Sequence, residues 1–188
     1  MEHDLCTTVR SFFLIGTLMN GFNSSFMILL PKVPGANSID KFRPITLSNF
    51  IFKVITKIIA DRLSLLAPKL VSPSQFGFIK GRHIEDYIVA ASECFNLLNY
   101  KCFRGNIALK VDIRKAFDSM DWGFIHSVLL SFGFSSHFCD WISAILQSAK
   151  LLVLLNSSLK GYFSCSRGVR QGDPLSPLLF FLAEEYLN

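Results

Sequence analysis

The chain has 188 residues, 51% of them hydrophobic and only 18% charged, with 19 phenylalanines and a net charge of +5. This composition excludes a disordered or low-complexity chain and supplies enough apolar surface for one sizeable core. Pro, Lys, Ser and Asn interrupt every apolar run before the roughly 18 residues that a membrane-spanning helix needs, so no membrane association is expected.

Cys6, Cys94, Cys102, Cys139 and Cys165 are odd in number, scattered and without C-x-x-C spacing. That pattern argues against a disulfide framework and a zinc knuckle, and predicts a reduced, intracellular protein, nuclear or cytoplasmic. The charge is unevenly placed. Residues 32–82 hold nine Lys and Arg against Asp40 and Asp61, a net +7, while the segments on either side each sum to −1. A basic block beside a near-neutral one suits a protein that handles a polyanion. On charge alone, a solvated helix face explains the block equally well.

In chain order, "MEHDLCTTVRSFFLIGTLMNGF" opens with acidic residues and lacks a basic leader and a cleavage site, so it reads as an ordinary helix. "SSFMILLPKV" predicts a short buried strand, followed by the turn-rich loop "PGANSIDKFRP" with Lys32 and Arg43 near its ends. Apolar residues at 51, 54, 55, 58, 59, 63 and 66 predict a helix capped by Ser48 or Asn49 and ended by Pro68. A second helical pattern runs through 84, 87, 88, 91, 95 and 98. In "NIALKVDIRKAF", Ile107, Leu109, Val111 and Ile113 alternate with Ala108, Lys110 and Asp112, which predicts a strand with Asp112 on its polar face. Two helices follow, one opening at Asp121 and one near Ser135 or Ser136; then come two strands joined at "NSS" and an apolar helix after "RQGDPLSP". The mixture without repeats indicates an α+β domain.

Taken singly, the candidate functional residues have plain structural readings. Asp112, Asp118 and Asp121 are turn formers or caps as readily as ligands, Lys32 and Arg43 are ordinary surface charges, and Phe117 is a core ring.

Four blocks change that balance: "LLPKVPGANSIDKFRPITLSNFIFKVITKIIADRL", "SQFGFIKGRHIEDYIV", "LKVDIRKAFDSMDW" and "RGVRQGDPLSPLLFFLAEEYL". In this order and spacing the chain resembles the reverse transcriptase domain of non-LTR (LINE-type) retrotransposons, particularly those of plants, over roughly residues 23–187. The resemblance implies a partial right-hand polymerase fold in one domain. It would be helix-rich with a small, mostly antiparallel sheet, residues up to about 82 forming fingers and about 83–188 a partial palm. The implied activity is RNA-directed DNA polymerisation from a dNTP onto a DNA primer 3′-hydroxyl over an RNA template, with two Mg²⁺ ions about 4 Å apart. Asp112 matches the first catalytic, metal-binding aspartate, and the Ile113 carbonyl would add an oxygen, as a hard cation prefers.

The same resemblance gives Phe117 the place of a ring beneath the sugar that rejects a ribose 2′-hydroxyl. It gives Lys32 and Arg43 the grip on the incoming triphosphate, and Gln171 and Gly172 the turn against the template base and nascent pair. Gln75, Phe76, Lys80 and Arg82 match a template-side segment. Asp118, Asp121 and Lys115 match no ligand and read as structural. The other two carboxylates of the family come from a Tyr-x-Asp-Asp hairpin, and no Asp-Asp pair occurs in the chain. Glu184-Glu185 fits a helix rather than that hairpin. With Asp112 alone and no thumb, no polymerase activity is expected, and apolar palm surface left without partners predicts self-association. The alternative is a nucleic-acid-binding remnant without chemistry.

Overall fold

The computed structural model describes residues 2–75, 77, 79, 81–101, 103, 105–113 and 115–187. Its elements run α1 (Glu2–Ile15), β1 (Ser24–Pro31), β2 (Phe42–Ser48), α2 (Phe50–Leu70), α3 (Ile84–Leu97), α4 (Ala116–Ser119), α5 (Trp122–Ser131), α6 (Ser136–Gln147), β3 (Lys150–Leu155), β4 (Ser158–Ser164) and α7 (Ser176–Leu187). The fold is α+β, rich in helix, as the sequence patterns predict.

Four strands form one sheet in the order β2-β1-β3-β4. The outer pairs are antiparallel and the central pair, β1 with β3, is parallel. Because strand side chains alternate, Ser25, Thr46 and Leu151 fall on the face turned to the helices and are buried. Phe26, Leu47 and Leu152 make the neighbouring row on the opposite face, where Phe26 and Leu47 stay exposed.

Capping residues set the helix starts. The Asn49 side chain accepts from the Ile51 amide at 2.9 Å, Asp121 Oδ1 from the Phe124 amide at 2.8 Å, and Ser135 Oγ from the Phe138 amide at 3.3 Å. Each satisfies an amide that the first helical turn leaves open. The core follows from the apolar stripes. Phe52, Ile55, Ile59 and Leu63 of α2 join Leu178, Phe181 and Leu182 of α7, Ile125 and Leu129 of α5, and Ile142 of α6. Phe12 of α1 closes it.

The structure departs from the sequence reading in four places. Residues 42–44, read as the end of a loop, begin β2; Pro44 fits because β2 is an edge strand, where a missing amide donor costs no ladder bond. Pro68 does not end α2, which runs on to Leu70, because a proline in the last turn breaks only a terminal bond. Helix α3 forms where expected, yet none of its residues is buried. Finally, residues 107–113 form no strand: Ile107, Leu109 and Val111 are 84–87% exposed. A strand exists only where a neighbour takes its N–H and C=O groups, and the four strands of the sheet pair among themselves.

Candidate functional site

A cleft of about 140 Å³ lies between the helix-facing side of the sheet, the start of α2 and the segment 165–176. Its floor is a buried polar network. Asn23, only 2% exposed at the entry to β1, donates through Nδ2 to the Ile145 carbonyl at 2.7 Å and to Ser148 Oγ at 2.9 Å. Arg170 donates to both Asn23 oxygens, through Nη1 to Oδ1 and through Nη2 to the backbone carbonyl at 2.7 Å. The guanidinium also lies 5.2 Å from the centroid of the Phe52 ring. A forked, planar cation thus ties the end of α6, the start of β1 and the segment ahead of α7 together.

Asp173 completes the network. Its Oδ1 accepts the Leu175 amide at 2.9 Å, making a tight turn at the entry to α7. Burial pushes its carboxyl above the usual carboxylate range. The Leu175 amide, Arg170, the Thr56 hydroxyl and Lys53 partly offset that push. Burial likewise lowers the Arg170 guanidinium, while Asp173 and Cys165 oppose the shift.

Gln171 and Gly172 line or border this cleft as a turn docked on β2. The Gln171 carbonyl accepts the Thr46 amide at 3.3 Å, and Gly172, with φ +101°, would bring a Cβ to 3.3 Å from the Thr46 carbonyl oxygen. Only glycine takes that backbone without strain. Phe117 sits on α4 just outside the lining. Its ring stacks on Phe180 at 5.2 Å, its carbonyl accepts the Val169 amide at 2.7 Å, and the next residue, Asp118, reaches the cleft.

The remaining sequence candidates lie apart from this hollow. Asp112 and Ile113 are on the exposed segment before α4, and neither lines the cleft. Among the described residues no three His, Cys, Asp or Glu converge as a metal site. The donor set in these residues therefore does not fit a pair of Mg²⁺ ions, which together need about three carboxylates. Arg43 is exposed opposite Leu30 in the β1–β2 ladder, and Pro44 beside it borders the cleft. Lys32 is exposed, its ammonium donating to the Asp40 carbonyl at 2.9 Å. Asp40 also meets the Lys115 ammonium at 3.9 Å, a link from this loop to α4.

In the template-side group, Arg82 donates through Nη1 to the carbonyls of Ser72, at 2.7 Å, and Gln75. Gln75 donates to Glu184 at 3.2 Å, and Glu185 accepts the Ser72 amide at 2.9 Å. The two glutamates thus fasten the 72–82 segment to α7. Phe76 and Lys80 lie outside the described residues. Asn23, Arg170 and Asp173 are site residues that sequence patterns do not single out. "GFNSS" carries no helical or strand periodicity, and only the bracketing of Gln171-Gly172 by Arg170 and Asp173 hints at a built turn.

The model of the family described as reverse transcriptase (RNA-dependent DNA polymerase) matches residues 30–187. The chain is 32% identical over 172 residues, 90% of its length, to the transposon TX1 uncharacterized 149 kDa protein of Xenopus laevis, covering 13% of that protein. It is 27% identical over 172 residues, 92% of its length, to the retrovirus-related Pol polyprotein from type-2 retrotransposable element R2DM of Drosophila melanogaster, covering 16% of it. A shorter match, 53% identical over 38 residues, is to the uncharacterized mitochondrial protein AtMg01250 of Arabidopsis thaliana, with 20% of this chain and 31% of that protein covered. The chain thus spans less than a fifth of the length of the two longer relatives.

Proposed function

Because the chain belongs to the reverse transcriptase (RNA-dependent DNA polymerase) family, matched over residues 30–187, we propose that it is the nucleic-acid- and nucleotide-binding part of a non-LTR retrotransposon polymerase. In this reading residues up to about 82 serve as fingers and the remainder as a partial palm. Lys32 and Arg43 hold the triphosphate of a dNTP, and Phe117 lies under its sugar. The Gln171–Gly172 turn backs the template base, and Gln75, Phe76, Lys80 and Arg82 follow the RNA template paired with a DNA primer. A plant-type element is the source that the motif set and the short Arabidopsis match favour.

The observation that carries the reading is the meeting of β2, α4 and the Gln171–Gly172 turn around one cleft, although they are far apart in sequence. Chance similarity in separate motifs gives no reason for such convergence.

Chemistry is a separate matter. Asp112, with the Ile113 carbonyl, takes the family's first metal position in this reading, yet no Asp-Asp pair exists in the 188 residues and no group of three His, Cys, Asp or Glu forms a metal site among those described. We therefore propose that this chain alone binds primer–template and does not extend it. The same observation favours, as a second reading, a binding module that has kept the basic segment without catalysis.

The test is a pair of measurements on the same protein. Binding of an RNA–DNA primer–template, followed by anisotropy, weakens as salt rises; Lys80→Ala and Arg82→Ala, in the template-side segment, each lower affinity and reduce the log–log salt slope by about one. Affinity indifferent to salt and to both substitutions sinks the nucleic-acid reading. Primer extension with Mg²⁺ and dNTPs gives no product. Product that disappears in Asp112→Ala would instead establish a complete site.

A further inference from the structure

Three hydrogen bonds and one glycine fasten α4, the Met120 that follows it and the first residue of α5 to the segment that leads into the Gln171 turn. Gly168 donates its amide to the Met120 carbonyl at 2.7 Å, Val169 donates to the Phe117 carbonyl at 2.7 Å, and the Trp122 indole donates to the Gly168 carbonyl at 2.8 Å. Gly168 has φ +83°, and a Cβ there would stand 2.8 Å from the Asp118 carbonyl oxygen and 3.0 Å from that of Phe117. Those neighbours are backbone atoms, so a side chain at 168 forces α4 and the segment apart rather than turning a rotamer aside. On the other side of α4 the Phe117 ring is held flat against Phe180 of α7.

We propose that Gly168 and Trp122 are positioning residues for nucleotide selection: they set the height of the Phe117 ring relative to the Gln171–Gly172 turn, and so the clearance left for a sugar 2′-hydroxyl. The inference rests on the reading of Phe117 as the sugar contact. A ring fixed only through its own side chain can relax when a ribose presses on it. Here the backbone of Phe117 is tied at its carbonyl to the segment that carries the base-facing turn, so sugar contact and base contact move as one body. Separating them by even about 1 Å is enough to misplace a bound nucleotide.

Gly133 supplies a matched control. It has nearly the same backbone, φ +82°, but no atom stands within 4 Å of the place a Cβ would take, so Gly133→Ala carries the left-handed penalty without the collision. The full chain is tested with Mg²⁺ and primer–template by displacing a fluorescent dGTP analogue with dGTP or GTP. Wild type prefers dGTP, and Phe117→Ala loses the preference. Gly168→Ala lowers it by about fivefold or more, the size expected for a contact moved by a fraction of an ångström. Trp122→Phe, which keeps an aromatic ring and removes the donor, lowers it in the same direction, and Gly133→Ala leaves it at the wild-type value. If Phe117→Ala acts while Gly168→Ala and Trp122→Phe match wild type, or if Gly133→Ala shifts the ratio as much as Gly168→Ala, this inference falls and the sugar contact stands. A wild-type protein without preference, or one unaffected by Phe117→Ala, overturns the sugar contact and this inference with it.

Discussion

Asp173 is the residue whose environment most clearly opposes its charge. Burial raises its carboxyl above the usual range, so the folded protein takes up a proton at a pH where the unfolded chain does not. The folded state therefore binds more protons between the ordinary carboxylate pKa and the raised one, and by linkage stability falls as pH rises through that window. Asp173→Asn keeps an acceptor for the Leu175 amide and removes the titration. In urea unfolding from pH 4 to 7.5, the variant is expected to lose this downward component and to gain on wild type as pH rises. Equal pH dependence in the two proteins would count against it. Asn23 has the opposite character, because its value lies in partners rather than charge. Asn23→Ala removes the Nδ2 bonds to the Ile145 carbonyl and Ser148 and leaves one N–H of a buried guanidinium unpaired, and should cost about 2–3 kcal/mol, read as a lower denaturation midpoint at unchanged m-value.

Among the elements, those with local signals form where periodicity and caps place them. Helices α5 and α6 begin at Asp121 and Ser135 because those side chains satisfy amides three residues on, a bond that needs nothing from the rest of the fold. The β3–β4 hairpin turns at Asn156 and Ser157, both at positive φ, a geometry matched to strand twist. Residues 107–113 are the counter-example. Their apolar–polar alternation is regular, whereas β1 is a continuous apolar run, yet among the described residues no strand lies beside the segment. Amide hydrogen exchange is expected to find 107–113 unprotected and β1 and β3 protected, since protection follows hydrogen bonding. Slow exchange across 107–113 in dilute protein would mean that the segment pairs in solution.

Across the whole molecule, the core is well supplied while several apolar surfaces are left uncovered. Helix α3 exposes Ile88, Val89 and Phe95, the 107–113 segment exposes Ile107, Leu109, Val111 and Ile113, and the outer sheet face carries Phe26 and Leu47. Surfaces of this kind associate in water, because each Å² of apolar area removed gains roughly 25 cal/mol. Light scattering should show mass rising with concentration, and the double substitution Ile88→Lys with Val111→Lys should reduce the rise. A monomer at every concentration, unchanged by the substitutions, would refute it. No helix among the described residues is long and apolar enough to cross a membrane.

Local chemistry was legible from the chain alone: helix periods, capping side chains, the hairpin, and the glycine-bearing turn at 172 that four ordered motifs assign to a polymerase family. These features depend on bonds between residues close in sequence, so a linear string encodes them directly. The Arg170–Asn23 clasp, the collision that keeps position 168 a glycine and the exposure of Asp112 arise between segments far apart in the chain. Their energies depend on which surfaces meet, and only the folded molecule decides that.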